Sequence, residues 1–198
     1  MILEHQPRTF VIALKNHPVS EKQLDDCLVS AASHGWHVEV SWGVDGRTIT
    51  SDTWAREGLI PRLDKPTMAK PGVQGCFLSH WKLWNLCVEL NEPIVILEHD
   101  AVIQQKWESI TLDTSIIKLH RHYSGKKVKY DVDSGNWSKS GHAYCISPFH
   151  AKILIEFVRR VGAYEVDIIM GNKVISVQHL APSFVERQNT YSTTENLI

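Results

Sequence analysis

The chain has 198 residues, enough for one sizeable core and short for two. Its 43% apolar and 22% charged residues are those of an ordinary globular protein, and 21 basic against 22 acidic residues give a net charge of -1. That balance argues against a nucleic-acid partner, and no apolar run approaches the roughly 20 residues of a membrane helix.

The first ten residues, "MILEHQPRTF", lack a basic stretch leading into a long apolar one, so no signal peptide is read there and a cytoplasmic protein is expected. "TFVIAL" (9–14) predicts the first strand. A helix follows, with Ser20 and Gln23 as a capping box, Leu24, Cys27, Leu28 and Ala31 at helical spacing, and Gly35 as the stop. "HVEVSWGV" (37–44) alternates, with Val38, Val40, Trp42 and Val44 on one side of a second strand. Residues 45–72 are rich in turn formers, and loops of that length are often functional or mobile. "VQGCFLSHWKLWNLCVEL" (73–90) predicts a helix with Phe77, Trp81, Trp84 and Val88 on one face, ended by Asn91 and Pro93.

"IVIL" (94–97) is a continuous apolar strand of the kind buried on both faces. Residues 115–120 predict another strand, 126–137 a polar hairpin, and "HAYCIS" (142–147) a strand. Ser147 and Pro148 open the next helix. "KVISVQHLAP" (173–182) predicts the last strand, and the tail from Glu186 onward is polar. Strands and helices alternate early and strands dominate late, so the expected class is an α/β fold, one domain over 1–198, with a mixed central sheet. Cys27, Cys76, Cys87 and Cys145 form no C-x-x-C pair and read as buried, reduced thiols.

The apolar strand runs straight into Glu98, His99 and Asp100. In an extended strand Glu98 and Asp100 share a side, with α-carbons about 6.6 Å apart. Two negative charges there repel by roughly 2 kcal/mol at an effective dielectric near about 20, and a divalent cation between them reverses the sign. Carboxylates suit magnesium or manganese. Ligands of open α/β sheets bind at the carboxyl ends of strands, which is where these acids stand. A solvated strand end with a packed histidine explains three residues equally well.

Several stretches occur in an order that resembles glycosyltransferase family 25, whose members include bacterial lipopolysaccharide galactosyltransferases. They are "FVIALKNHP", "GVDG", "GCFLSHWKLW", "PIVILEHDA", "IIKL", "GHAYCIS" and "EVD". The resemblance implies a GT-A-like nucleotide-sugar-binding sandwich with a short acidic metal motif. Where the family has Leu-Glu-Asp-Asp, this chain has Leu97, Glu98, His99 and Asp100, so the outer pair is kept and the middle acid is lost. The implied reaction moves a hexose, with galactose expected, from a UDP-sugar to a hydroxyl of a glycan or glycoconjugate acceptor, with inversion and with Mn2+ or Mg2+ bound.

Under that resemblance Asp100 is a direct metal ligand, Glu98 a ligand or water-mediated partner that also contacts the donor, and His179 a late ligand. Asp167 corresponds to the family's base, with Glu165 as its understudy; an N-cap for "DIIM" explains Asp167 equally well. Ser79 and His80 are candidates for donor contact, against a buried structural histidine. Asp45 either touches the nucleotide or makes the turn. Asp131 and Asp133 form a second D-x-D in an exposed-looking turn and are read as a decoy. Trp36, Trp42, Trp81 and Trp84 read as core, and Trp54 and Trp137 as candidates for contacting a sugar. A non-catalytic sugar-nucleotide or glycan-binding domain and a phosphate-cleaving metal enzyme remain open alternatives.

Overall fold

The computed structural model describes residues 1–122, 125–132, 140–171 and 174–188. Asp133 and Trp137 lie outside the described residues. Short β1 (Ile2–Leu3) precedes β2 (Arg8–Ala13), α1 (Pro18–Ser33) and β3 (Val38–Trp42). The long connection that follows is structured: it holds 3₁₀ turns at Gly46–Thr48 and Pro66–Ala69 around α2 (Ser51–Glu57). Then come α3 (Pro71–Leu90), β4 (Ile94–Glu98), β5 (Ala101–Ile103), β6 (Ile110–Thr111), β7 (Ile116–Lys118) and β8 (Val128–Tyr130). The chain continues with β9 (Ala143–Ile146), α4 (Pro148–Val161), α5 (Val166–Ile169), β10 (Val177–His179) and β11 (Val185–Arg187).

Seven strands form the central sheet in the order β3-β2-β4-β9-β7-β10-β8. β3 and β4 both run parallel to β2, whereas β9 runs antiparallel to β4 and to β7. β10 is parallel to β7 and antiparallel to β8. The expected α/β class and mixed sheet are both present. Within the expected hairpin at 126–137, β8 pairs antiparallel with β10, and residues 133–137 lie outside the described residues.

A core lies on each face of the sheet. On one, α3 and α4 pack Phe77, Trp81, Trp84, Leu154 and Val158 against Ile94, Ile96, Tyr144 and Ile146. On the other, α1 packs Leu24, Cys27 and Ala31 against Val11, Val95, Leu97 and Cys145. The period-two alternation of β4 and β9 feeds both layers, which is why their residues are apolar without a break. A buried tryptophan removes ~150–250 Å2 from water, about 4–6 kcal/mol before the entropy of ordering it, so Trp81 and Trp84 anchor α3.

Local chemistry departs from expectation in several places. His17, not Ser20, caps α1: its Nδ1 accepts from the Ser20 N–H, and the Ser20 hydroxyl accepts from the Leu14 N–H instead. Ser147 caps α4 as expected, accepting from the His150 N–H. Trp54 is on α2 rather than in a loop, 6% exposed and stacked on Phe77 with ring centroids 5.9 Å apart, so its bulk belongs to the core. Trp42 is 47% exposed, because β3 is an edge strand with no layer over that position. The polar tail contains a strand, β11, which pairs antiparallel with β5.

Candidate active site

A cavity of about 360 Å3 opens at the carboxyl end of β4. Its walls include Ile12 to Leu14 at the end of β2, Gly72, Val73, Gly75 and Cys76 at the start of α3, Glu98 to Asp100, and Glu165 to Asp167 at α5. Two close backbone approaches shape it. A Cβ on Gly75 would stand 2.4 Å from the Val44 carbonyl oxygen, and one on Gly46 would stand 1.8 Å from that of Pro71. Only glycine lets α3 come so near the chain leaving β3.

β4 ends at Glu98, and His99 and Asp100 form a turn. The two acids still converge, because both face His142, just before β9. His142 Nδ1 is 3.0 Å from Asp100 Oδ1 and 3.8 Å from Glu98 Oε2. Antiparallel pairing brings it there, since the Glu98 N–H donates to the His142 carbonyl at 2.8 Å. Arg187 on β11 donates to the other Asp100 oxygen, Oδ2, at 2.7 Å. Neither His142 nor Arg187 is among the sequence-predicted site residues.

The charges settle each other. Burial works to raise the Glu98 carboxyl, but His142 and His80 outweigh it and hold it well below the ordinary carboxylate range. Burial likewise opposes the Asp100 carboxylate, and His142 and then Arg187 outweigh burial and the nearby Glu98. Burial alone would lower the His142 imidazole; Asp100 and Glu98 push it up instead, to about 9. Two carboxylates thus face two cations.

Among the described residues, two groups of side chains have ligand-capable atoms within 4.8 Å of one another: Glu98, Asp100 and His142, and Cys76, His80 and Glu98. Hydrogen bonding separates them. The Trp84 indole N–H donates to the Tyr144 hydroxyl at 2.8 Å, so the hydroxyl's own proton goes to His80 Nδ1, also at 2.8 Å. With the Tyr144 proton assigned to Nδ1, the His80 proton is assigned to Nε2, facing Glu98 Oε1 at 3.5 Å, which leaves that nitrogen no lone pair for a metal. The Cys76 thiol is pushed well above its usual range by burial and then by Glu98, so it stays protonated.

The first group fits a cation. Asp100 Oδ1 and His142 Nδ1 are both buried, 3.0 Å apart and paired by charge without an aligned hydrogen bond, so a divalent cation that displaces the His142 proton would meet both atoms. The far nitrogen of His142, Nε2, meets the Glu186 carbonyl at 3.4 Å, the outer contact a ligating histidine commonly makes. Two carboxylate oxygens and one imidazole nitrogen suit manganese or magnesium.

The remaining predicted residues divide. Ser79 lines the cavity, but its hydroxyl donates to the Gly75 carbonyl at 2.7 Å and accepts from the Val44 N–H at 2.8 Å, which ties α3 to the sheet. Glu165 lines the cavity and accepts from the Thr67 hydroxyl across its mouth. Asp167 also lines it and accepts from the Gly141 N–H at 2.8 Å. Asp45 is absent from the wall; its carboxylate grips Arg47 at 2.7 Å, and Arg47 holds it below the usual carboxylate range. His179 is also absent from the wall. Its ring lies 5.1 Å from that of His120, which lies 5.9 Å from that of His142, and burial and then Lys118 lower it to about 4. Asp131 is exposed and away from the cavity.

The sequence pattern of glycosyltransferase family 25 (LPS biosynthesis protein) matches residues 64–140, the stretch that runs from the cavity's mouth through α3 and the acids to Ser140. The match covers less than half of the chain, so the likeness to family 25 is one of this stretch. A curated relative, the lipooligosaccharide biosynthesis protein lex-1 of Haemophilus influenzae, is 26% identical over 150 aligned residues, covering 61% of this chain and 49% of the relative. The chain therefore spans about half the length of that relative.

Proposed function

We propose that this chain is a metal-dependent glycosyltransferase of the GT-A kind, folded as one domain. It moves a hexose, galactose first among the candidates, from a UDP-sugar to a hydroxyl of a glycan or glycoconjugate, with inversion. The observation that carries this reading is the convergence on His142 of Glu98 and Asp100, two acids of the cavity wall that lie inside the family 25 stretch, with His142 two residues beyond that stretch. The name of the relative points to a lipooligosaccharide-type acceptor.

Glu98, Asp100 and His142 would hold manganese or magnesium. When bound, the ion supplies positive charge against the departing diphosphate. The nucleotide would lie in the cavity lined by Ile12 to Leu14, Val44, Gly46 and Gly75. Asp167 takes the proton from the acceptor hydroxyl as that oxygen attacks the anomeric carbon. A positioned base of this kind contributes about 10²–10⁴-fold. Glu165, pinned by Thr67, positions the acceptor at the mouth.

The test measures UDP-sugar binding and sugar transfer in added manganese for the native chain, Asp100→Asn and Asp131→Asn. Metal-dependent donor binding is expected to vanish in Asp100→Asn and to persist in Asp131→Asn. Transfer by Asp100→Asn at the native rate would remove the site from the reading. Tight donor binding without turnover in the native chain would instead mark a non-catalytic binding domain.

A further inference from the structure

Lys118 is a whole lysine side chain with no exposure, on β7 in the middle of the sheet. Burial, first, pulls its ammonium down to about 8, while Asp167 and Glu98 pull it back up. An ammonium is costly to bury and normally sits against a carboxylate. No carboxylate lies within 4.0 Å of it among the described residues. Its Nζ donates to the Ser140 carbonyl oxygen.

That carbonyl belongs to the same peptide group as the Gly141 N–H, which donates to Asp167 Oδ1 at 2.8 Å. One amide therefore lies between a buried cation and the carboxylate at the cavity wall, its oxygen toward the first and its N–H toward the second. Hydrogen bonds in series polarise one another, more so where the dielectric is low. Local geometry shows the peptide being held. Ser140 has φ +101°, a conformation side-chain-bearing residues avoid, and its hydroxyl accepts from the His142 N–H at 3.2 Å. A Cβ on Gly141 would stand 2.6 Å from Val166 Cγ1, so the turn is pressed against α5.

We propose that Lys118 is a positioning residue for Asp167, acting through the Ser140–Gly141 peptide. It fixes the orientation of that peptide, which in turn holds Asp167 Oδ1 and leaves Oδ2 as the oxygen that meets the acceptor. The amide also conveys the field of the lysine to the carboxylate without neutralising it by direct contact. The inference rests on the reading of Asp167 as the acceptor's base, and it assigns Lys118 to acceptor attack and not to donor binding.

The test has a kinetic arm and a spectroscopic arm. Lys118→Gln keeps a donor for the Ser140 carbonyl and removes the charge; Lys118→Met removes both. Lys118→Gln is expected to lower kcat by about 10-fold or more, within the range a base contributes, with the KM for donor changed less than about twofold. Combined with Asp167→Asn it is expected to add nothing, because residues acting as one unit are not additive. Additive losses, or a loss confined to donor KM, would overturn the proposal. In the spectroscopic arm the Gly141 amide proton resonance is followed in the native chain, Asp167→Asn and Lys118→Gln. It is expected to lie downfield in the native chain and to move upfield in both variants. A Gly141 amide that ignores Lys118→Gln overturns the relay whether or not the chain transfers sugar. A native chain that transfers none, with the resonance behaving as expected, overturns the functional reading and leaves the relay standing. If Lys118→Met does not fold, both arms are read from Lys118→Gln.

Discussion

His142 uses its two nitrogens for separate tasks, Nδ1 toward the acids and Nε2 toward the Glu186 carbonyl. Removing one partner of a buried charge set leaves the others uncompensated, at a cost of roughly 3–5 kcal/mol. His142→Gln is accordingly expected to lower stability by about that amount, and manganese to stabilise the native chain more than the variant. Denaturant unfolding with and without manganese measures both. At His99, an aspartate would restore the acid that the family resemblance supplies; His99→Asp is expected to tighten manganese binding and keep or raise transfer, read by calorimetry and by rate. Glu98 and Asp100 were legible because their signal is local: two acids at spacing two after an apolar run. His142 sat in plain view in "GHAYCIS", but nothing near it in the chain says that a strand register will set it against Glu98. Arg187 gave even less sign, as one charge in a tail that read as polar.

Among the elements, α3 was the most legible and its neighbours the least. Its tryptophan face and its Asn91 stop both follow from spacing and turn chemistry. What the spacing could not say is how closely its first turns approach the chain after β3. Gly75→Ala would drive a methyl group into the Val44 carbonyl and the Gly46 nitrogen, 2.4 and 2.8 Å away. Backbone cannot yield as a side chain does, so a loss of about 1–3 kcal/mol is expected, as for other overpacked sites, with weakened UDP binding. Ser147→Ala, at the cap of α4, should cost about 1 kcal/mol and leave donor affinity alone, since neither Ser147 nor any residue of α4 lines the cavity; thermal unfolding and donor titration separate the two effects. Trp54 and Trp42 exchanged their expected roles for one reason: burial of a tryptophan is decided by which layer covers it, and strand order is not written in the residue pattern.

At the scale of the molecule, the titratable groups give the protein an alkaline weakness. His142 is raised from 6.5 to about 9 on folding, so its contribution is complete below pH 6.5 and is lost as pH rises through about 9. Burial raises the Cys27 and Cys87 thiols from 9.0 to about 12, and raises Cys76 and Cys145 as well. Above pH 9 the unfolded chain releases these protons and the folded chain keeps them, so unfolding gains further. Lys118, lowered from 10.5 to about 8, acts in the opposite sense between those values but is one group against four thiols. Stability measured by denaturant in reducing buffer should fall from pH 6.5 to about 8, level off while Lys118 offsets His142, and fall again past 9 as the thiols of the unfolded chain ionise. A flat profile between pH 6.5 and 9.5 would contradict this account. The two-sided core was legible from the unbroken apolar runs of β4 and β9; the mixed direction of the sheet was only suggested by the order of elements.

The antiparallel join between β4 and β9 makes the whole arrangement depend on a reading frame. Whichever residue lies opposite Glu98 becomes its companion, and in the present frame that residue is His142. Shifting β9 by a single step would present Gly141 or Ala143 instead, neither of which can carry charge or bind a cation, and would turn the imidazole to the other layer. One alanine inserted between Ala143 and Tyr144 could therefore leave a folded sheet whose acids have lost their counterpart, a protein silenced by counting and not by chemistry.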